Sequence, residues 1–177
     1  MHYHAEVWVS EDPTGNEESI LNDLMGPSEE DDNGYWDWFV HGGRWTGAHD
    51  GYEPANDIRN YEVCDLCHGT GQRTDGDFTN DPVWVEQSRG CNSCAGTGAK
   101  RSWENAPHDG DTMALDSVKQ DLDCFTLVVE GHGTYHSEVW DSSKQEFQPG
   151  EFTGLVKPFL ASLNVSGGYL ITVDYHC

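Results

Sequence analysis

A chain of 177 residues with 32 acidic and nine basic side chains carries a formal charge of −23. Such a surface repels phosphate, which argues against generic binding to DNA or RNA, and it raises solubility at some cost to compactness. Apolar residues make up only 36%, yet seven Trp, seven Tyr and six Phe supply enough burial for a core and exclude overall disorder.

Residues 2–9, HYHAEVWV, alternate. Tyr3, Ala5, Val7 and Val9 share one side, and His2, His4, Glu6 and Trp8 share the other, which predicts a half-buried strand. Pro13, Thr14, Gly15 and Asn16 break it. EESILNDLM at 17–25 predicts a helix with Ile20, Leu21 and Leu24 on one face, Asn16 as N-cap and Gly26-Pro27 as its end. SEEDDN at 28–33 reads as an acidic loop. In GYWDWFVHGGRWTG at 34–47, Trp36, Trp38 and Val40 alternate with Asp37, Phe39 and His41, which predicts a strand running into a Gly42-Gly43 turn. Residues 48–62 read as loop.

Next come CDLCHGTG at 64–71 and CNSCAGTG at 91–98, two copies of C-x-x-C-x-G-T-G. Each C-x-x-C turn supplies two ligands of a tetrahedral site, so Cys64, Cys67, Cys91 and Cys94 together can hold one zinc, ahead of iron. The glycines fit a knuckle that folds back on its own sulfurs. The stretch between has room for two short strands turning at Asp75-Gly76, so 63–101 reads as a hairpin-like arm closed at its base by metal. Disulfides are the alternative, but no secretory signal or spanning segment points to an oxidising compartment. CDLCH also fits the c-type haem motif, although the second copy has Ala95 in place of the His. A thioredoxin-like redox pair lacks a surrounding βαβ pattern.

Residues 103–111 are polar and turn-rich, and MALDSVKQDL at 113–122 reads as a short helix. CFTLVVEG at 124–131 and TYHSEVWD at 134–141 predict a hairpin turning at Gly131-His132-Gly133. GLVKPFLASL at 154–163 reads as a helix that Pro158 starts or kinks. GYLITVDYH at 168–176 predicts a last strand, with Tyr169, Ile171, Val173 and Tyr175 opposite Leu170, Thr172, Asp174 and His176. The expected fold is α+β, an antiparallel sheet with helices on one face. A ferredoxin-like order would set the last strand antiparallel beside the first. The body would span 1–62 and 102–177, with the zinc arm 63–101 inserted.

Two further sites suggest themselves. Antiparallel pairing of the terminal strands would bring His4 near His176 and Glu6 near Asp174, a set able to bind a second metal or do acid–base work. A solvated sheet face is the ordinary alternative. Trp38, His41, Arg44 and Trp45, with Tyr35, Trp36 and Phe39 around them, could form a binding surface, or could bury one strand face in the core. His132 and His136 read as surface histidines and Cys124 as a buried thiol. No G-x-S-x-G, H-E-x-x-H or P-loop is present, and no catalytic residue is assigned.

The paired C-x-x-C-x-G-T-G motifs resemble the cysteine-rich region of DnaJ-type co-chaperones. That region carries twice as many repeats, and no J-domain is visible here. The resemblance covers only the two motifs and implies a zinc-closed arm, not chaperone activity. The run WDWFVHGGRWTG, the cysteine motifs, FTLVVEGHGTYHSEVW and the final LITVDYH also resemble a set of phage and mobile-element proteins with a W-D-W-Y-x-I-G-G-R-W motif. His41, Tyr135-His136 and Tyr175 depart from that pattern. This likeness implies a phage origin and a bacterial cytoplasmic location, and no reaction.

Charge is uneven. Residues 1–62 hold 15 acidic and two basic side chains, 102–177 hold 12 and three, and 63–101 hold five and four, the four being Arg73, Arg89, Lys100 and Arg101. The expected function is therefore that of a small acidic zinc-stabilised interaction protein engaging a host macromolecule, one form of which is inhibition of a basic nucleic-acid-binding host protein by an acidic body that imitates nucleic acid. The alternative is a small-molecule or nucleotide-binding protein, or a hydrolase, using the Trp/Arg/His surface. Compositional bias of an acidic proteome also accounts for the charge.

Overall fold

Both terminal segments alternate over eight residues, and in a computed structural model of the chain they form the two central strands of its main sheet: β1 (His2–Val9) and β10 (Tyr169–His176). The structure describes residues 1–26, 36–73, 90–102, 105–106 and 108–177. The chain divides into two compact units, one made of 1–53 with 107–177 and the other of 54–106. The second is longer at both ends than the arm expected at 63–101.

In the first unit β1 and β10 pair antiparallel along their full length, from His2 opposite His176 to Val9 opposite Tyr169. On the far side of β10 lie β2 (Trp38–His41) and the short β5 (Thr112–Ala114). Beyond β1 come β6 (Thr126–Val129), parallel to it, and then β7 (Gly133–His136), antiparallel to β6. The last strand is thus beside the first. The remainder differs from a ferredoxin-like order, which places the second strand of the central hairpin next to β1. Here the first strand, β6, takes that place.

Helices cover both faces of this sheet, not one. Helix α1 (Glu17–Met25) buries Leu21 and Met25 with Trp36 against Ala5, Val7, Val9, Ile171, Val173 and Tyr175. Helix α2 (Val156–Ser162) buries Val156 and Leu160, with Leu115, Val118, Leu122 and Phe152, against Trp8, Leu127, Val129 and Leu170. The reason is in the strands: all four residues of β6 are buried, which requires cover on both sides. Pro158 is the third residue of α2, within the first turn where a missing N–H costs nothing, so it helps start the helix. Asn16 precedes α1, but its side chain makes no capping hydrogen bond.

Two local expectations fail for identifiable reasons. The helix expected at 113–122 is absent because Met113 and Ala114 are drawn into the sheet and Leu115 N–H donates to Gly168 O (2.9 Å). The chain then runs through a set of turns that still buries Leu115, Val118 and Leu122. The strand expected at 134–141 is split at Ser137, whose N–H donates to Phe125 O while its carbonyl accepts from Gly150. Past that point the chain forms a separate hairpin of β8 (Glu138–Asp141) and β9 (Glu146–Pro149).

In the second unit β3 (Tyr61–Val63) pairs antiparallel with β4 (Ala99–Arg101). Asn60, fully buried, ties the ends of the unit: its Nδ2 donates to Pro54 O and its Oδ1 accepts from Ala106 N–H. The expected turn at Asp75-Gly76, the acidic loop 28–33, Tyr35 and Arg89 lie outside the described residues.

Candidate functional site

The four repeat cysteines converge at the base of the β3–β4 ladder. Cys64, Cys67 and Cys91 are fully buried, Cys94 nearly so, and the four sulfurs all lie within 4.8 Å of one another. Cys64–Cys91 and Cys67–Cys94 are each 3.7 Å apart, and no disulfide joins them. A metal about 2.3 Å from each of four tetrahedral sulfurs sets those sulfurs about 3.75 Å apart. The cluster therefore has the size of a four-coordinate thiolate site, far from the bonded S–S distance of about 2.05 Å.

The two motifs are near copies in backbone as well as sequence. His68 and Ala95 share φ 50°, Gly69 and Gly96 lie at 84° and 81°, and Gly71 and Gly98 at 72° and 83°. The copies clasp each other: Cys64 N–H donates to Gly98 O (2.9 Å) and Cys91 N–H to Gly71 O (2.7 Å). Thr70 and Thr97 each donate a hydroxyl to the carbonyl of the preceding cysteine at 2.7 Å. A Cβ on Gly98 would strike the carbonyl of Gly69, and one on Gly71 that of Gly96. Gly98→Ala is accordingly expected to lose about 1–3 kcal/mol of stability in this unit, read as a lower unfolding midpoint of the metal-loaded protein, whereas Ala99→Gly should lose less.

Burial opposes ionisation of these thiols, yet the N–H groups of Cys67 and Leu66 lower Cys64 to about 6. Likewise Gly98 N–H, 3.3 Å from the sulfur, lowers Cys94 against the effect of burial. Cys91 is pushed up to about 11 by burial and by its neighbours Cys64 and Cys94. A cluster that favours some thiolates but cannot carry four alone is one that a dication completes.

The polar face of β1 and β10 is the second candidate, and it is not a solvated face. Glu6 and Thr172 are fully buried, Asp174 is 2% exposed and His4 7%. The register differs from that expected: His4 faces Asp174, Glu6 faces Thr172, and His2 faces His176. The four expected residues separate accordingly. His4 Nε2 and Glu6 Oε1 are 2.7 Å apart. Asp174 bonds His2 Nδ1 (3.0 Å) and accepts from Arg44 N–H (3.1 Å). His176 turns to Asp37 (2.9 Å).

The residue that completes the Glu6 site is His49, on a segment read from sequence as loop. Its Nε2 lies 2.7 Å from Glu6 Oε2, its Nδ1 3.0 Å from Gly110 O, and Thr172 Oγ1 is within 3.0 Å of both Glu6 and His49. Both ring nitrogens of His49 face acceptors, which is the arrangement of an imidazolium. Burial disfavours its charge, but the Glu6 carboxylate and the Gly110 carbonyl outweigh that and raise its pKa. Burial likewise opposes the charge on Glu6, yet His49 and His4 bring it down to about 2. The pair is a buried ion pair. The one cue in the sequence was a carboxylate in line with Trp8, a position that demands a cationic partner once covered.

The G-G-R-W-T-G run supplies the cover. A single 3-10 turn at Gly43–Trp45 lies on β10, and a Cβ on Gly43 would sit 2.5 Å from that of Asp174. Gly47 N–H donates to buried Asp111 (2.8 Å). Of the expected binding surface, Trp38, Arg44 and Trp45 are exposed. His41 is half-buried against Thr112, and Trp36 is core, its Nε1–H donating to Met25 O. Trp45 stacks on His4 with ring centroids 4.9 Å apart, whereas Trp38 packs on His2 at 5.7 Å. The expected surface is thus two separate aromatic–histidine pairs. Cys124 is buried, donates to Thr126 O and has its pKa pushed up by burial, as suits an inert thiol. His136 is half-buried beside Thr126, not a surface histidine.

No helix among the described residues is long and apolar enough to cross a membrane. Compared with known proteins, the chain matches no family model, no curated protein and no solved structure.

Proposed function

We propose that this is a zinc-stabilised interaction protein whose acidic body engages a basic, nucleic-acid-binding surface on a partner protein. The observation that carries the reading is a charge of −23 on the whole chain, most of it on a body whose buried ionisable groups are spent on its own internal network. Zinc is the metal that the all-thiolate, four-coordinate cysteine cluster suits best, and its role is structural, because four protein ligands leave no open position for a substrate. The resemblance to phage and mobile-element proteins favours a partner in a bacterial host cell. Lys100 is paired with Asp65 and Arg101 with Asn105, and the stretch 63–101, with five acidic and four basic side chains, is the least repelled part of the surface, while the acidic body adds long-range attraction.

The alternative of a nucleotide ligand is less well supported. A cleft of the first unit, about 700 Å3, is lined by Asp123 and Glu138 and by no lysine or arginine among the described residues, so phosphates would meet like charge there. The test is to identify the partner retained from host extract and measure its affinity at low and high salt. A basic partner whose affinity falls steeply with salt is expected. A salt-indifferent affinity, or an acidic partner, would contradict the proposal.

A further inference from the structure

The same cleft has a composition that its fold does not require. Tyr3 and Phe125 line it and pack on each other at 4.7 Å, and outside the lining Phe125 meets Phe147 at 6.5 Å and Phe147 its cross-strand neighbour Trp140 at 5.2 Å. Phe147 and Trp140 are about half exposed, at 49% and 53%. This ladder runs from β1 out along the β8–β9 hairpin. Trp45 and His4, stacked on each other, also line the cleft. Asp123 and Glu138 line it too and are exposed.

His4 adds directionality. Glu6 is ionised and accepts at His4 Nε2, so that nitrogen carries a proton. Nδ1 has no partner among the described residues. The cleft therefore offers two carboxylates, aromatic faces and imidazole rings, and no lysine or arginine among the described residues. A ligand that matches must be positively charged, rich in N–H donors and flat enough to stack. A phosphate, a carboxylate or a plain hydrocarbon fails one of these conditions.

We propose that the cleft between β1 and the β8–β9 hairpin receives an arginine of the partner, carried on an extended basic segment. Guanidinium meets all three conditions. A lysine ammonium meets the first two but is a compact point charge that does not stack in the same way. A volume of about 700 Å3 holds more than one side chain, so the flanking backbone of the segment enters as well. The partner is chosen by charge complementarity with the whole body and with this lining. The inference rests on the reading that the partner is basic, and it assigns that contact to one surface.

Fluorescein-labelled octaarginine and octalysine, titrated with the full zinc-loaded chain and read by anisotropy, test it. Asp123→Asn with Glu138→Gln removes two exposed charges from the cleft and should weaken octaarginine binding about tenfold or more. Glu11→Gln with Glu18→Gln removes the same charge elsewhere and should change it by no more than about twofold. Trp45→Ala, which alters no charge, should also weaken octaarginine, and more than it weakens octalysine. Equal losses in the two double variants would overturn the cleft and leave the basic-partner reading standing. Octalysine binding as tightly as octaarginine, with the same response to Trp45→Ala, would overturn the choice of arginine. Absence of binding by either peptide would overturn both readings.

Discussion

Replacing Cys64 with Ser, or stripping the metal with a chelator, is expected to unfold residues 54–106 while the sheet of the first unit survives. Among its described residues the second unit has little else to hold it. Its described buried apolar groups are the four cysteines with Leu66 packed against them, and its ladder is three residues long on each side. Structural zinc contributes on the order of 10–16 kcal/mol at neutral pH in small thiolate domains, more than so small a core can replace. The first unit has two apolar layers of its own, on either face of the sheet. In an amide NMR spectrum the chelated protein should lose the dispersed signals of Cys64–Arg73 and Cys91–Arg101 and keep those of β1 and β10. Restoring zinc should return them. Loss of all dispersed signals together would show that the two units do not fold separately.

Glu6→Ala is expected to cost about 3–5 kcal/mol, the usual penalty for removing one partner of a buried pair. It strands His49 between Gly110 O and an apolar methyl, and removes an acceptor from His4 and Thr172. The pH dependence identifies the pair. Glu6 falls from an ordinary 4.5 to about 2, so its contribution is present above 4.5 and is lost as pH falls toward 2. His49 is raised from 6.5, so its contribution is complete below 6.5 and is lost as pH rises through the raised value. The stability difference between wild type and Glu6→Ala should therefore be greatest from about pH 4.5 to 6.5 and shrink on both sides, as measured by urea unfolding. A difference that stays flat from well below pH 4.5 to well above 6.5 would mean that Glu6 contributes packing and hydrogen bonding without charge.

How much of the structure was legible in the sequence depends on what each pattern encodes. The cysteine cluster is local: C-x-x-C turns with αL-permissive glycines specify their own geometry, and the symmetry of the two knuckles was already present in the two copies of G-T-G. The terminal strands were legible from alternation, and so was their adjacency. Their register was not, because sliding by two residues keeps every side chain on its face. Thus His4 meets Asp174, not His176. His49 was not legible at all, since a buried loop side chain has no period. Helix cover on both faces could have been read from TLVV at 126–129, four apolar or β-branched residues without a polar side. The helix misread at 113–122 kept the i, i+3, i+7 spacing of Leu115, Val118 and Leu122, but that spacing also serves successive turns over a sheet. The β8–β9 hairpin was hidden because the alternation of 134–141 continues unbroken through Ser137, where only the hydrogen bonds change direction.

The central claim is that Cys64, Cys67, Cys91 and Cys94 hold one zinc and that this metal closes the second unit. X-ray absorption at the zinc edge, on protein purified without chelator and with its metal content measured on the same sample, addresses it most directly. One zinc per chain with four sulfurs at about 2.3 Å is the predicted result. Metal well below one per chain, or a first shell containing nitrogen or oxygen in place of any of the four sulfurs, would contradict it.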